Sequence, residues 1–392
     1  GKSGGVGYYS YFNYKTGNGF RPNSQFDSYN AYAHVDYSIS EKTKVSFEFS
    51  YLDYLAQQPG GLTDTQFEQQ PNFSNRSRNW FDVDWKLYSL ALEHAISPNT
   101  DFSVTIFALD ASRKSVGFRE NRVSQVDDLQ APRDLIVGNF RNWGAEARFL
   151  TRYNLFKTEQ ALLVGAKYYQ SNNTERQGPG STSNEADFNF ADTLFPEYTR
   201  QSNFTFPNLN IAFFAEHIFK LTQKLTVTPG VRVDVIKTQS QGEYKNIVLD
   251  LAGNAILNQT IADNRSFDRS FALLGVGASY KAYYATEIYS NLSQNYRSVT
   301  FSDIRITNPS LTIDPNITDE RGYTFDLGAR GKFKNFLKYD FGVFFLSYQD
   351  RLGVVLRSVS DIQDERFRAN IGDAVTYGFE GFVDWNIWET FS

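Results

Sequence analysis

In LTVTPGVRVDVIKT, residues 225–238, Leu225, Val227, Val231, Val233 and Val235 share one parity, and Thr226, Thr228, Arg232 and Asp234 share the other. Successive side chains of a β-strand point to opposite faces, so the stretch reads as a strand with one apolar and one polar face. Two architectures accept such a strand. In a soluble sandwich the valines face a dry core. In an outer-membrane barrel they face lipid, and the polar row faces the interior. Pro229-Gly230, inside the same stretch, predicts a bulge or a position without ladder hydrogen bonds.

The pattern recurs along the chain. Tyr29, Ala31, Ala33, Val35, Tyr37 and Ile39 oppose Ser28, Asn30, His34, Asp36 and Ser38. Val45, Phe47, Phe49 and Tyr51 oppose Ser46, Glu48 and Ser50, and Phe102, Val104, Ile106 and Ala108 oppose Ser103 and Thr105. Near the end, Val375, Tyr377, Phe379, Val383, Trp385 and Ile387 oppose Thr376, Glu380, Asp384 and Asn386. The alternation predicts about 14 strands, many longer than the usual strand of soluble sheets. No segment has helical periodicity with caps. No apolar run reaches the roughly 18 residues of a membrane helix, and mean hydropathy is −0.45. Neither fact bears on a membrane barrel, whose alternating strands are nearly invisible to hydropathy windows.

The connections separate the two architectures. Short turns at 40–43, 97–100, 157–160, 222–224 and 334–336 alternate with long polar stretches at 55–77, 116–137, 173–202, 238–265, 298–320 and 356–372. Repeated structureless loops of about 20 residues argue against a compact soluble domain. A barrel with short periplasmic turns and long outer loops expects them. The polar strand faces carry Glu48, Arg232, Asp234, Lys338, Asp340, Glu380 and Asp384, which a dry core could not hold and a wet lumen can. Among 35 Phe, 24 Tyr and 5 Trp, the groups Trp80-Phe81, Tyr283-Tyr284, Trp385 and Trp388 fall near strand ends, as interfacial girdles do. The sequence therefore predicts an all-β fold, a transmembrane antiparallel β-barrel wall.

Several chemistries are excluded. The net charge of −5 gives no electrostatic footprint for nucleic acid. With no cysteine there is no disulfide and no thiolate site. His34, His94 and His217 are scattered and lack metal spacing. GVGAS (275–279) has no phosphate-loop lysine, and no GxSxG elbow occurs. The chain does not read as an enzyme.

At TPGVR (228–232), NYRSVTFSD (295–303), DERGYTFDLGARG (319–331) and NIGDAVTYGFEG (370–381), the sequence resembles TonB-dependent outer-membrane transporters. The resemblance runs from about residue 55 to the end. It implies a 22-stranded barrel closed by an N-terminal plug, so that residues 1–392 are a partial barrel domain, with the plug and the C-terminal strands outside it. It further implies active transport across the bacterial outer membrane, energised through the missing plug by the TonB–ExbB–ExbD complex, with outer-membrane lipid as surroundings.

Within the family, PGGLTD (59–64), ASRKSVGF (111–118), APRDLIV (131–137) and PEYTR (196–200) resemble the loops of ferric-citrate receptors. That subgroup holds an anionic iron complex with arginines, and the matching positions are Arg113, Arg133 and Arg200. No resident cofactor is implied; the Fe(III)-citrate-like chelate is the cargo. A guanidinium suits the role, because its planar fork matches carboxylates and never loses charge. Arg113 has the lumen parity of Ser103 and Thr105, whereas Arg133 and Arg200 fall in long loops. The alternative for each is a solvated loop charge or an ion pair, with Asp134 and Glu197 nearby. Leu356 stands where the subgroup has a glutamine contact, a departure that leaves room for another iron carboxylate. A corrinoid or glycan, served by Phe188, Phe190, Phe195 and Tyr198, is the second reading. A passive porin or a barrel enzyme comes after it.

Overall fold

The parity of the opening stretch survives in space. In the computed structural model Val231, Val233 and Val235 are 40%, 40% and 46% exposed, while Asp234, Ile236, Thr238 and Ser240 on the opposite face are all buried. A soluble sandwich would bury the valines, so the sheet is built for lipid on the valine side. The structure describes residues 1–120, 123–155, 157–283, 285–304, 311–334, 336–360 and 363–385. Tyr284, Asn386, Ile387 and Trp388 lie outside them.

The strands follow in chain order: β1 (Lys2–Ser3), β2 (Val6–Gly17), β3 (Phe26–Ser40), β4 (Thr43–Gln57), β5 (Trp80–Ser97), β6 (Thr100–Gly117), β7 (Asp134–Leu155), β8 (Thr158–Pro179) and β9 (Ser202–Lys220). The second half holds β10 (Leu225–Leu249), β11 (Ala255–Lys281), β12 (Thr286–Arg297), β13 (Leu311–Ile313), β14 (Glu320–Phe333), β15 (Leu337–Gln349), β16 (Leu352–Ser360), β17 (Gln363–Asn370) and β18 (Ala374–Trp385). Fifteen of them form one antiparallel sheet in sequence order, against the expected 14 or so; β13, β17 and β16 form a separate three-stranded sheet. Consecutive pairing through tight turns is the cheapest way to join antiparallel strands.

Paired residues share a face. Arg113 pairs with Val83 and Gly138, and the series continues through Glu175, Phe204 and Gly242. This is the face of Asp234, the lumen. The outward face carries Val35, Phe47, Leu90, Ile106, Phe213, Val233, Leu274 and Phe345, all at least 36% exposed. An arginine at Val233 is expected to destabilise the intact barrel by about 2–4 kcal/mol, and one at Gln241, on the same face but beyond the valine row, by about 0–1 kcal/mol. Urea unfolding in lipid vesicles measures both, and equal effects would contradict this orientation.

The Pro229 position resolves in favour of missing bonds. The β10–β9 ladder omits Thr228 and Pro229 and resumes at Gly230↔Glu216 in unchanged register, so there is no bulge. Three expectations change. The stretches 238–265 and 356–372 are not loops: β10 and β11 stay paired up to Leu249↔Ala255, leaving a turn at 250–254, and β16 pairs with β17 from Leu352↔Asn370 to Ser360↔Gln363. In 238–265 the buried face of β10 carries polar residues such as Thr238 and Ser240, so the apolar–polar alternation fades while the ladder hydrogen bonds continue. There is also a capped helix, α1 (Asp64–Gln69), in which Thr63 and Gln66 form a capping box. At little more than a turn, it is too short to display periodicity. A second short helix, α2 (Phe301–Ile304), lies in the β12–β13 connection.

Candidate functional site: a rim vestibule above the lumen

The family-like motifs turn out to be staples. Arg297 of NYRSVTFSD donates to Glu320 at 2.9 Å and to Asp303 at 3.0 Å. Asp319 of DERGYTFDLGARG accepts from Arg269 at 2.6–2.7 Å, from Tyr296 Oη and from the Val299 N–H at 2.7 Å. Asn370 bonds Thr318 and Asp350, and Arg232 lies bidentate on Asp234 at 2.7 and 2.9 Å. Of these, the Arg297–Asp303 and Asp319–Val299 contacts hold residues 298–304 inward as a strap. Its Val299 and Ile304 are fully buried and cluster with Phe204, Phe206, Ile313 and Ile317. Phe204 and Phe206 are lumen residues by register, so the strap lies against the inner wall.

Outside the wall, a second packing unit forms above the lipid. Trp80, Val116 and Leu135, of outward parity, cluster with Phe188 and Phe190 of the 180–201 connection. Trp80 Nε1 donates to Asn184 O at 2.8 Å. Trp80 is thus 8% exposed in a protein cluster rather than in a lipid girdle, whereas Trp385 is 61% exposed at the foot of β18.

Arg133 belongs to this outer unit. It precedes β7 with the parity of Leu135, is 0% exposed, and donates to carbonyls of Arg78, Ser181, Glu185 and Asp187 and to Ser181 Oγ. Its burial lowers the guanidinium pKa. Arg113 is exposed on the luminal face, four positions below the top of β6, with its guanidinium 5.9 Å from the Phe140 ring centre.

Arg200 lines a vestibule of about 500 Å³ at the outer rim, with Phe118, Arg119, Glu120, Asp134, Phe195 and Tyr198. Asp134 has lumen parity: it pairs with Gly117 at the strand tops and accepts two 2.9 Å bonds from Gln177. Tyr198 Oη donates to Asp134 at 3.0 Å. Burial, then the Asp134 charge, pushes the Tyr198 phenol well above its ordinary range, so it remains a donor. Arg200 donates to Glu120 and, at 2.9 Å, to Arg119 O. Burial opposes its charge, and Glu120 with Tyr198 and Asp134 outweighs that, raising its pKa. Arg119 is the freer cation, 40% exposed and 3.6 Å from Asp134.

Two guanidinium groups, three carboxylates (Glu120, Asp134 and Glu197) and three aromatic rings thus converge on one mouth, where an anionic ligand has to displace Glu120 and Asp134 from the arginines. Of the sequence candidates, Arg200 lines this mouth, Arg113 lies lower on the same face, and Arg133 is not part of the lining. Arg119 was missed; its only signal was lying six residues past Arg113. Leu356 is 74% exposed on β16. His34 bonds Glu48 and Asp36, His94 bonds Thr43, and His217 bonds Tyr153. Among the described residues no group of His, Asp and Glu is placed to hold a metal ion.

A sheet with lipid-facing valines, a charged inner face, short turns at one end and packed loops at the other defines an outer-membrane β-barrel wall. Residues 31–392 match the family TonB dependent receptor-like, beta-barrel, and the chain belongs to it. This places it in the bacterial outer membrane, in a family of transporters rather than enzymes. The fold is similar to the ferric citrate transporter FecA in its unliganded form (TM-score 0.70, 18% identity, 97% of this chain and 50% of that one). It is also similar to the ferric yersiniabactin uptake receptor FyuA of Yersinia pestis (0.72, 11%, 96% and 53%). A third such structure is the siderophore receptor PiuA of Acinetobacter baumannii (0.69, 14%, 98% and 57%). The chain therefore spans about half the length of these structures. No curated protein matches it.

Proposed function

We propose that the intact protein takes up an anionic ferric chelate of the iron-citrate type across the outer membrane, energised by TonB–ExbB–ExbD through a plug domain. The observation that carries this reading is the rim vestibule, where Arg119 and Arg200 stand beside aromatic rings on the luminal side. Carboxylates of the chelate would replace Glu120 and Asp134 as their partners, exchanging one charge-assisted bond for another. Arg113, lower on the same wall, offers a further cation to a ligand moving inward. Arg133 serves the site by holding the 181–187 segment. FecA, FyuA and PiuA, named for ferric citrate, ferric yersiniabactin and siderophores, support the ligand class by likeness of fold alone.

The test is ferric citrate binding to the intact receptor carrying Arg113→Ala, Arg133→Ala or Arg200→Ala. Loss of a hydrogen bond to a charged ligand is worth about 1.5–3 kcal/mol, so Arg200→Ala is expected to weaken binding by roughly 10–100-fold. Unchanged affinity in all three variants would remove this site. Uptake that persists when the inner-membrane motor is inactivated would point to a passive pore instead.

A further inference from the structure

A second cavity lies below the vestibule, between the inner wall and the strap. Its volume is about 250 Å³, and it is walled by β8, β9 and β10 and by Ser298 to Phe301. No lining side chain is ionisable except the Tyr169 phenol, in a lumen otherwise crossed by ion pairs such as Arg232–Asp234 and Arg265–Asp263. What lines it instead are amides and hydroxyls, Asn173, Asn208, Asn210, Ser171 and Thr238, beside the rings of Phe206 and Phe301. The two rings are 5.5 Å apart.

Two of the amides are incompletely satisfied. Asn173 is 6% exposed, and its Oδ1 and that of Asn210 accept no hydrogen bond. Asn208, in contrast, donates to Thr238 at 2.9 Å. A buried acceptor without a donor is unfavourable and is corrected when a donor arrives. Turning either amide about its broad terminal torsion brings its oxygen or its nitrogen to the cavity. Uncharged acceptors and donors next to an aromatic face suit a ring with hydroxyl groups, whose C–H face packs on the phenyl and whose edge bonds the amides. The charge next to the lining, Arg269, donates to Thr238 Oγ1 at 3.2 Å and to Val299 O at 3.4 Å and is already neutralised by Asp319, so a charged ligand would have to break that pair and be desolvated at a cost.

We propose that this cavity is a binding subsite for a neutral, hydroxyl-rich ligand of the saccharide type, separate from the arginine vestibule. Binding seats one ring between Phe301 of the strap and the Asn173–Asn210 wall. The subsite does not depend on the chelate reading, because it uses none of the arginines.

The experiment is calorimetric titration of the intact receptor with glucose, maltose and N-acetylglucosamine. At least one is expected to bind saturably, with affinity lowered about tenfold by Asn210→Leu and by Phe301→Ala, and unaffected by Arg200→Ala. Phe301 is on the strap rather than in a strand, so Phe301→Ala decides the matter if Asn210→Leu does not fold. Failure of all three sugars to bind, or binding unchanged in a folded Phe301→Ala receptor, overturns the proposal. So does a structure of the intact receptor in which its own side chains fill the cavity. Loss of ferric citrate binding in Arg200→Ala with sugar binding intact would separate the two sites.

Discussion

Replacing Asp319 by alanine is expected to release the strap at a cost of about 3–5 kcal/mol, the usual penalty for leaving a buried charge without its partner. Asp319 accepts from the Arg269 guanidinium, from Tyr296 Oη and from the Val299 N–H. The Arg269 side chain is 8% exposed, so water cannot replace what is lost. Asp319→Asn, which keeps an acceptor oxygen and loses the charge, should fall between wild type and alanine. The β12–β14 ladder pairs from Thr286↔Gly331 to Arg297↔Glu320 and does not use this carboxylate, so the barrel should hold while the strap loosens. The chain has no cysteine. A single Ser302→Cys, at an exposed position, therefore takes one spin label. The label should be immobile in the parent and mobile in Asp319→Ala; a label equally restrained in both would show that apolar packing alone holds the strap.

This role for Asp319 changes what the recurrent motifs mean. NYRSVTFSD and DERGYTFDLGARG, which resemble a transporter family, form a matched pair in this structure. Arg297 and Asp303 come from one segment, Asp319 and Glu320 from the other, and they meet across the top of β12 and β14. The matching charges position the strap, and through it the cavity below. No ligand contact is needed to explain them.

What the sequence disclosed follows the range of the interactions involved. Strand faces were legible because alternation is local: Val231, Val233 and Val235 specify an outward row without reference to any other segment. Orientation was legible from charges such as Asp234, which need water or partners. The loops were not, since their structure comes from contacts across long separations. Nothing near Trp80 announces that its indole will find Asn184, and nothing near Arg133 announces that its fork will be filled by carbonyls of Ser181, Glu185 and Asp187. An arginine in a polar loop looks the same whether it awaits a ligand or staples a backbone. The β10–β11 hairpin escaped for a related reason. Its apolar residues come as adjacent runs, Ile247-Val248-Leu249 and Ile256-Leu257, and its buried face carries Thr238 and Ser240, so parity does not mark the strand and the ladder does.

The same long-range packing sets the second large effect. Arg78 is 0% exposed and lies bidentate on Asp127, at 2.8 Å through Nε and 2.6 Å through Nη2, with further bonds to the carbonyls of Asp128 and Ala131. Asp127→Ala leaves that guanidinium buried with neutral acceptors only, a change expected to cost about 3–5 kcal/mol. The β5–β6 and β6–β7 ladders do not involve either residue. The loss should therefore appear as local opening of the 118–133 connection, not as unfolding of the barrel. Hydrogen exchange of the intact receptor measures it: amides of 123–133 should exchange faster while those of β6 stay protected. Replacing the pair together by Arg78→Met and Asp127→Leu should recover only part of the protection, because neutral packing needs no counter-charge but leaves the Asp128 and Ala131 carbonyls without their donor. The connection also carries Arg119 and Glu120, so on the proposed reading Asp127→Ala should weaken ferric citrate binding in parallel with the exchange. Faster exchange with unchanged binding would mean that the rim tolerates a loose floor, and that the arginine geometry of the vestibule does not depend on the packing beneath it.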